Sequence, residues 1–148
     1  MNLPRNRLET FLWVIEKYYG TWYTWGGDDP LGFDCSGLVI EGLKSAGMIP
    51  RKSDYSADGL WNIFFRSLPP AAQSPLVSVP KKGDLAFWFN SPYEANHVAV
   101  CINEDSYIGA EGGGRHVKTL EGAIKANAFI KVRPLSSRPG AKFVHIWT

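Results

Sequence analysis

The sequence predicts an α+β fold, with helices from the N-terminal half packed on a small antiparallel sheet from the C-terminal half. Three observations carry that prediction. Apolar residues recur at helical spacing before residue 66. Short apolar runs bounded by turn residues recur after residue 84. Asn103-Glu104-Asp105-Ser106 separates two of those runs as a hairpin turn would. At 148 residues the chain reads as one domain over residues 1–148.

Leu8, Phe11, Leu12 and Ile15 fall at i, i+3, i+4 and i+7, which predicts an amphipathic helix over 6–19, stopped by Gly20. A loop follows, rich in Gly, Asp and Pro and carrying Trp22, Tyr23 and Trp25. Asp34 is a good N-cap, and Leu38, Val39, Leu43 and Ala46 form an apolar stripe, so a second helix is expected over 35–46, closed by Gly47. A third, over 54–66, would turn Leu60, Ile63 and Phe64 inward. Residues 67–82 hold four prolines and read as an irregular connection. They are no domain linker, because the strands beyond would then have no helices to pack on. Strands are expected at 84–89, 97–102, 107–110, 129–132 and 143–147, and a short helix at 119–127. Trp22, Trp25, Trp61 and Trp88 are expected mostly in the core.

Composition removes several function classes. The formal net charge of +2 is too weak to argue for nucleic acid or an anionic membrane surface. The longest apolar runs, such as 11–15 and 98–102, are far short of the ~20 residues of a membrane span or the ~7–15 of a signal-peptide core. The expectation is a protein made in the cytoplasm. Cys35 and Cys101 do not make a disulfide scaffold, and with His97, His116 and His145 they show no metal-ligand spacing.

The chemistry concentrates at Asp34-Cys35-Ser36-Gly37. Cys35 falls in the first turn of the second helix, where partial positive charge and free N–H groups favour a thiolate and suit an oxyanion. The Asp34 carboxylate opposes the thiolate, so a histidine is required as its partner. His97 is the best candidate, because it opens the strand 97–102 after a loop containing Pro92 and Asn96, a place that faces a cleft. Cysteine on a helix N-terminus opposite histidine on a sheet is the arrangement of thiol proteases. Cys101 lies inside an apolar strand and reads as a small core residue.

Tyr23-Thr24-Trp25-Gly26-Gly27, Gly32-Phe33-Asp34-Cys35-Ser36-Gly37-Leu38-Val39, Ile49-Pro50-Arg51-Lys52-Ser53, Lys82-Gly83-Asp84-Leu85 and His97-Val98-Ala99-Val100 occur in this order and spacing. Together they resemble the NlpC/p60 family of cell-wall cysteine peptidases, over about residues 21–102. The resemblance implies a papain-like fold and cleavage of peptidoglycan stem peptides without a cofactor, usually after D-glutamate at its γ-linkage to a diamino acid. It implies Cys35 as nucleophile and His97 as base. Tyr23 would lie near the oxyanion, and Asp34, Ser36, Arg51 and Ser53 would line the site for the start of the stem peptide. Each has a structural alternative: Tyr23 as a buried loop anchor, Asp34 as an N-cap, Arg51 as a solvated side chain, Ser53 as the cap of the third helix.

The family usually carries a third polar residue about twelve positions after the base, and Gly109 stands there. Glu111 is the candidate replacement, since 109 and 111 share a strand face. An odd hairpin loop such as 104–106 would pair Gly109 with Cys101 and Glu111 with Ala99, on the His97 face. His116 is the runner-up, after Gly112-Gly113-Gly114. The lack of an export signal or wall-binding repeats fits a phage lysin, a phage tail enzyme or a delivered effector. Two other functions stay open: a CHAP-like amidase or cross-bridge endopeptidase, whose third residue is often acidic, and an inactive wall-binding or structural module.

Overall fold

The structure, a computed structural model, describes residues 4–29, 32–114 and 116–147. Helix α1 spans Arg7–Lys17, and the Asn6 side chain caps it by accepting from the Glu9 amide. Two short strands, β1 (Asp28–Asp29) and β2 (Gly32–Phe33), pair with each other. Helix α2 spans Cys35–Ser45 behind its cap Asp34. These bounds match the sequence-based ones closely, because caps and stripe agree.

The third helix differs. Helix α3 covers only Ala57–Trp61, capped by Ser56 rather than Ser53, and the chain widens into a π-helical turn over Asn62–Arg66. The wider turn, closed by Ser67 N–H on the Asn62 carbonyl, leaves Ile63 and Phe64 half-buried while Leu60 is fully buried. It also stacks Phe65 on Trp61, with ring centroids 4.5 Å apart.

Strands β3 (Leu76–Val77), β4 (Leu85–Ser91), β5 (Glu94–Cys101), β6 (Ser106–Glu111), β7 (Phe129–Pro134) and β8 (Lys142–Val144) form one antiparallel sheet in the order β3-β8-β4-β5-β6-β7. Strand β3 lies in the stretch read as irregular; two residues carry too little pattern to announce a strand. Helix α4 (Leu120–Ala126) ends at Asn127 in the left-handed conformation. No helix among the described residues is long and apolar enough to cross a membrane.

The sheet has two unequal faces. Leu85, Phe87, Val98, Val100, Ile108, Ala110 and Ile130 join Phe11, Ile15, Leu38, Leu43, Leu60 and Trp61 in the main core. Ala86, Trp88, Ala99, Cys101 and Tyr107 form a smaller cluster on the opposite face, under Leu135, Ala141 and Phe143. The architecture is the α+β, papain-like one the sequence implied.

Candidate active site

Asp34 organises the start of α2. Its carboxylate accepts from the Gly37 amide at 2.7 Å, the Gly26 amide at 3.0 Å and the Ser36 hydroxyl at 3.3 Å. Burial holds the Asp34 carboxyl above its usual range, against the pull of these donors. The Gly27 carbonyl accepts from the Asp34 amide, and a Cβ on Gly37 would lie 1.9 Å from that oxygen. Gly37 is therefore the residue that lets the glycine loop close on the helix end. Cys35 sits half-buried between loop and helix. Among the described residues its amide and that of Ser36 have no acceptor, so both are free for an oxyanion.

Tyr23 is buried beside this turn. Burial, then the neighbouring Cys35 and Asp34, raise its phenol far above the ordinary value, so it remains a neutral hydroxyl. A Cβ on Gly113 would come within 2.4 Å of three Tyr23 ring atoms. The triglycine after β6 thus has a packing reason: the ring lies directly on the Gly113 backbone. Tyr23 both anchors the loop and flanks Cys35.

The strand holding His97 begins earlier than the sequence suggested. Strand β5 starts at Glu94, so Asn96 lies in it and only Pro92 and Tyr93 turn the hairpin. His97 pairs with Trp88, and the next pair, Phe89 with Ala95, is shifted by a bulge. His97 is therefore the last regular position of the ladder. A bulge, rather than the strand's start, re-aims the chain there.

The β5–β6 loop also differs. The Ile102 amide bonds the Ser106 carbonyl, leaving the three-residue loop 103–105, tightened by the Asn103 side chain on the Asp105 amide. Cys101 pairs with Tyr107 and Val100 with Ile108, two residues from the expected register. The loop is still odd, so the faces are unchanged. Continued along the strands, this register sets Gly109 opposite Ala99 and Glu111 opposite His97.

His97 Nε2 lies 2.6 Å from Glu111 Oε1, with both side chains buried. Nδ1 is left without a protein partner among the described residues, and Cys35 lies close enough to the ring to stabilise its charged form. Burial disfavours the imidazolium, but the nearby Cys35 and the Glu111 carboxylate outweigh it and push His97 up to about 9. Burial also opposes the Glu111 carboxylate, yet His97, Arg138 and Tyr107 hold it below its usual range. A Cβ on Gly109 would be 3.5 Å from Glu111 Oε1 and 2.9 Å from the Ala99 Cβ. The carboxylate thus lies beside the space that a side chain at 109 would claim.

A cleft of about 440 Å³ opens over Cys35, lined by Asp34, Ser36, Asp54, Glu94, Asn96 and Trp25 among others. Arg51 is exposed, Ser53 is half-buried, and neither lines the cleft. His116 is exposed. Trp25 is 46% exposed at the cleft, unlike the buried Trp61 and Trp88. The sequence reading missed Asp54, Glu94 and Asn96 as lining, because no local pattern ties them to Cys35. Among the described residues no group of three His, Cys, Asp or Glu is placed to hold a metal.

The NlpC/P60 family profile matches residues 20–134. Protein P54 of Enterococcus faecium is 37% identical over 109 residues, covering 69% of this chain and 18% of that protein. The chain spans under a third of the length of several such curated relatives. Among solved structures, the NlpC/p60 domain of the peptidoglycan hydrolase SagA is 26% identical, with TM-score 0.63 over 94% of this chain and 98% of that one. RipD of Mycobacterium tuberculosis, described as a non-catalytic NlpC/p60 domain protein adapted to peptidoglycan binding, shares the fold at 18% identity, with TM-score 0.62 over 97% of this chain and 99% of that one. With the family profile matched over residues 20–134 and the fold shared with solved NlpC/p60 domains, the chain belongs to the NlpC/P60 family.

Proposed function

We propose that this chain is a cysteine peptidase domain that hydrolyses peptidoglycan stem peptides at the γ-D-glutamyl–diamino acid bond. The observation that carries this reading is the buried His97–Glu111 pair, 2.6 Å between Nε2 and Oε1, beside a cysteine in the first turn of α2 at an open cleft. In the proposed reaction the Cys35 sulfur attacks the scissile carbonyl carbon. The free amides of Cys35 and Ser36, with the neutral Tyr23 hydroxyl nearby, would steady the oxyanion. The His97 imidazolium protonates the leaving amine, and the C–N bond breaks to a thioester. His97 then takes a proton from water, hydroxide adds to the thioester, and the proton returns to the sulfur as the new carboxylate leaves. Glu111 holds the ring and balances its charge, as the acid of a triad does. No cofactor enters.

Asp34 and Ser36 keep a place at the cleft wall, where the acidic lining suits a substrate bearing an amine. Arg51 and Ser53 lie outside the lining, and the reading asks nothing of them. The test is digestion of purified peptidoglycan with wild type and Cys35→Ala, followed by mass analysis of the products. Fragments ending in D-glutamate and beginning with the diamino acid, absent with Cys35→Ala, are expected. Intact stem peptides released from the sugar would establish an amidase instead. Wall binding with no product would establish an inactive module.

A further inference from the structure

Glu111 uses only one carboxylate oxygen on His97. The other, Oε2, lies 3.6 Å from Nη1 of Arg138, a charge contact rather than a hydrogen bond. Arg138 follows the 3₁₀ turn Leu135–Ser137 and belongs to no motif of the sequence. Trp88 holds it in two ways. The indole N–H donates to the Arg138 carbonyl at 2.7 Å, and the guanidinium lies over the indole ring, 5.3 Å from its centre. The same indole packs on the His97 imidazole, with ring centroids 5.2 Å apart. The contacts close a ring: His97, Glu111, Arg138, Trp88 and back to His97.

We propose that Arg138 is a positioning residue for the His97–Glu111 pair, with Trp88 as the platform that orders its guanidinium. This rests on the thiol chemistry proposed above. Two aligned cations, the imidazolium and the guanidinium, fix which way the carboxylate faces, so Oε1 stays on the histidine. The groups facing Glu111 are His97 from β5, Tyr107 from its own strand β6 and Arg138 from the segment after β7. Burial pushes the Tyr107 phenol up to about 12, so it brings no charge. Arg138 is thus the permanent cation on Glu111 among the described residues, and without it the carboxylate takes a proton at higher pH.

The test reads Cys35 alkylation by iodoacetamide against pH, which needs no wall substrate, beside kcat/KM on peptidoglycan fragments. Arg138→Met keeps the stem over Trp88 and drops the charge; Arg138→Lys keeps the charge. In Arg138→Met the acid limb of both profiles should rise by roughly half to one pH unit, with kcat/KM at pH 6 down about 3- to 10-fold. Arg138→Lys should restore most of the limb. Trp88→Phe, which keeps a ring on His97 but loses the N–H to Arg138, should shift it the same way by less, and serves if Arg138→Met fails to fold. An Arg138→Met profile that overlays wild type, or equal behaviour of Met and Lys, would overturn the proposal while leaving the peptidase reading intact. Wild-type reactivity unchanged in His97→Ala would overturn both.

Discussion

Two histidine–carboxylate contacts in this protein have the same length, 2.6 Å, and different surroundings. Each even has a cysteine nearby. His97 and Glu111 are both buried, and Cys35 lies close enough to the histidine to favour its charged form. His145 is 42% exposed, and its Nδ1 meets the buried Asp84. Asp84 also accepts from the Lys81 amide, and the His145 amide donates to the Pro75 carbonyl. This second contact therefore ties the end of β8 to the turn entering β4. Its cysteine, Cys101, sees the carboxylate rather than the ring, and burial with the Asp84 charge pushes that thiol up to about 12. Pair geometry alone does not make a catalytic pair. What differs is a thiol near the ring, at a helix N-terminus beside an open cleft.

Cys35→Ala and His97→Ala should break that difference outright. Each is expected to lower peptidoglycan hydrolysis by ~10⁴-fold or more, and the double variant by little beyond either, since nucleophile and base act as one unit. Cys101→Ala should keep activity. Iodoacetamide at pH 7 should label Cys35 in the folded wild type and leave Cys101 unlabelled until denaturant is added. Labelling of Cys101 first would contradict the contrast between the two sites.

Glu111→Gln should come next, at ~10- to 10²-fold in kcat, because an amide still orients the ring but cannot balance its charge. Its pH signature is specific. His97 titrates near 9 in the fold against 6.5 when unfolded, so its contribution to stability is complete below about pH 6.5 and disappears as pH rises through about 9. Glu111 is depressed from 4.5, so its contribution is present above about pH 4.5 and lost below it. The melting temperature of Glu111→Gln should fall furthest behind wild type between about pH 4.5 and 6.5. The gap should close above about pH 9. A gap independent of pH would assign Glu111 a packing role.

Helix α2 was legible from Asp34, the stripe and Gly47 because capping and periodicity are local. Glu111 was reachable only through the parity of a loop, and parity survived a register error of two residues. The choice among Glu111, His116 and neither needed the third dimension. Arg138 and Trp88 could not be read as partners: fifty residues separate them, Arg138 belongs to no motif, and Trp88 was expected mostly in the core. Gly113 shows the same limit at one residue. Its sequence context says mobile turn, while the Tyr23 ring says close packing. Gly113→Ala should push that ring aside, with a loss of about 1–3 kcal/mol and a several-fold drop in Cys35 alkylation. Gly114→Ala, whose Cβ would approach only the exposed His116 ring among the described residues, at 3.2 Å, is the control.

The smallest expected effect sharpens the comparison most. His145→Ala removes a contact as short as the one on His97, so a shared role would make it cripple hydrolysis. The structure argues otherwise. His145 lies just past the end of β8, outside the cleft lining, and Asp84 keeps its bond from the Lys81 amide. Activity at pH 7 should stay within ~2-fold, since only contacts made in the transition state alter rate. Stability should fall by ~1–2 kcal/mol, for a buried carboxylate short of one partner, or ~2–8 °C in Tm at this chain length. A large loss of rate with an unchanged Tm would mean that the two pairs are functionally connected through β4, and that a thiol beside an open cleft was the wrong criterion for telling them apart.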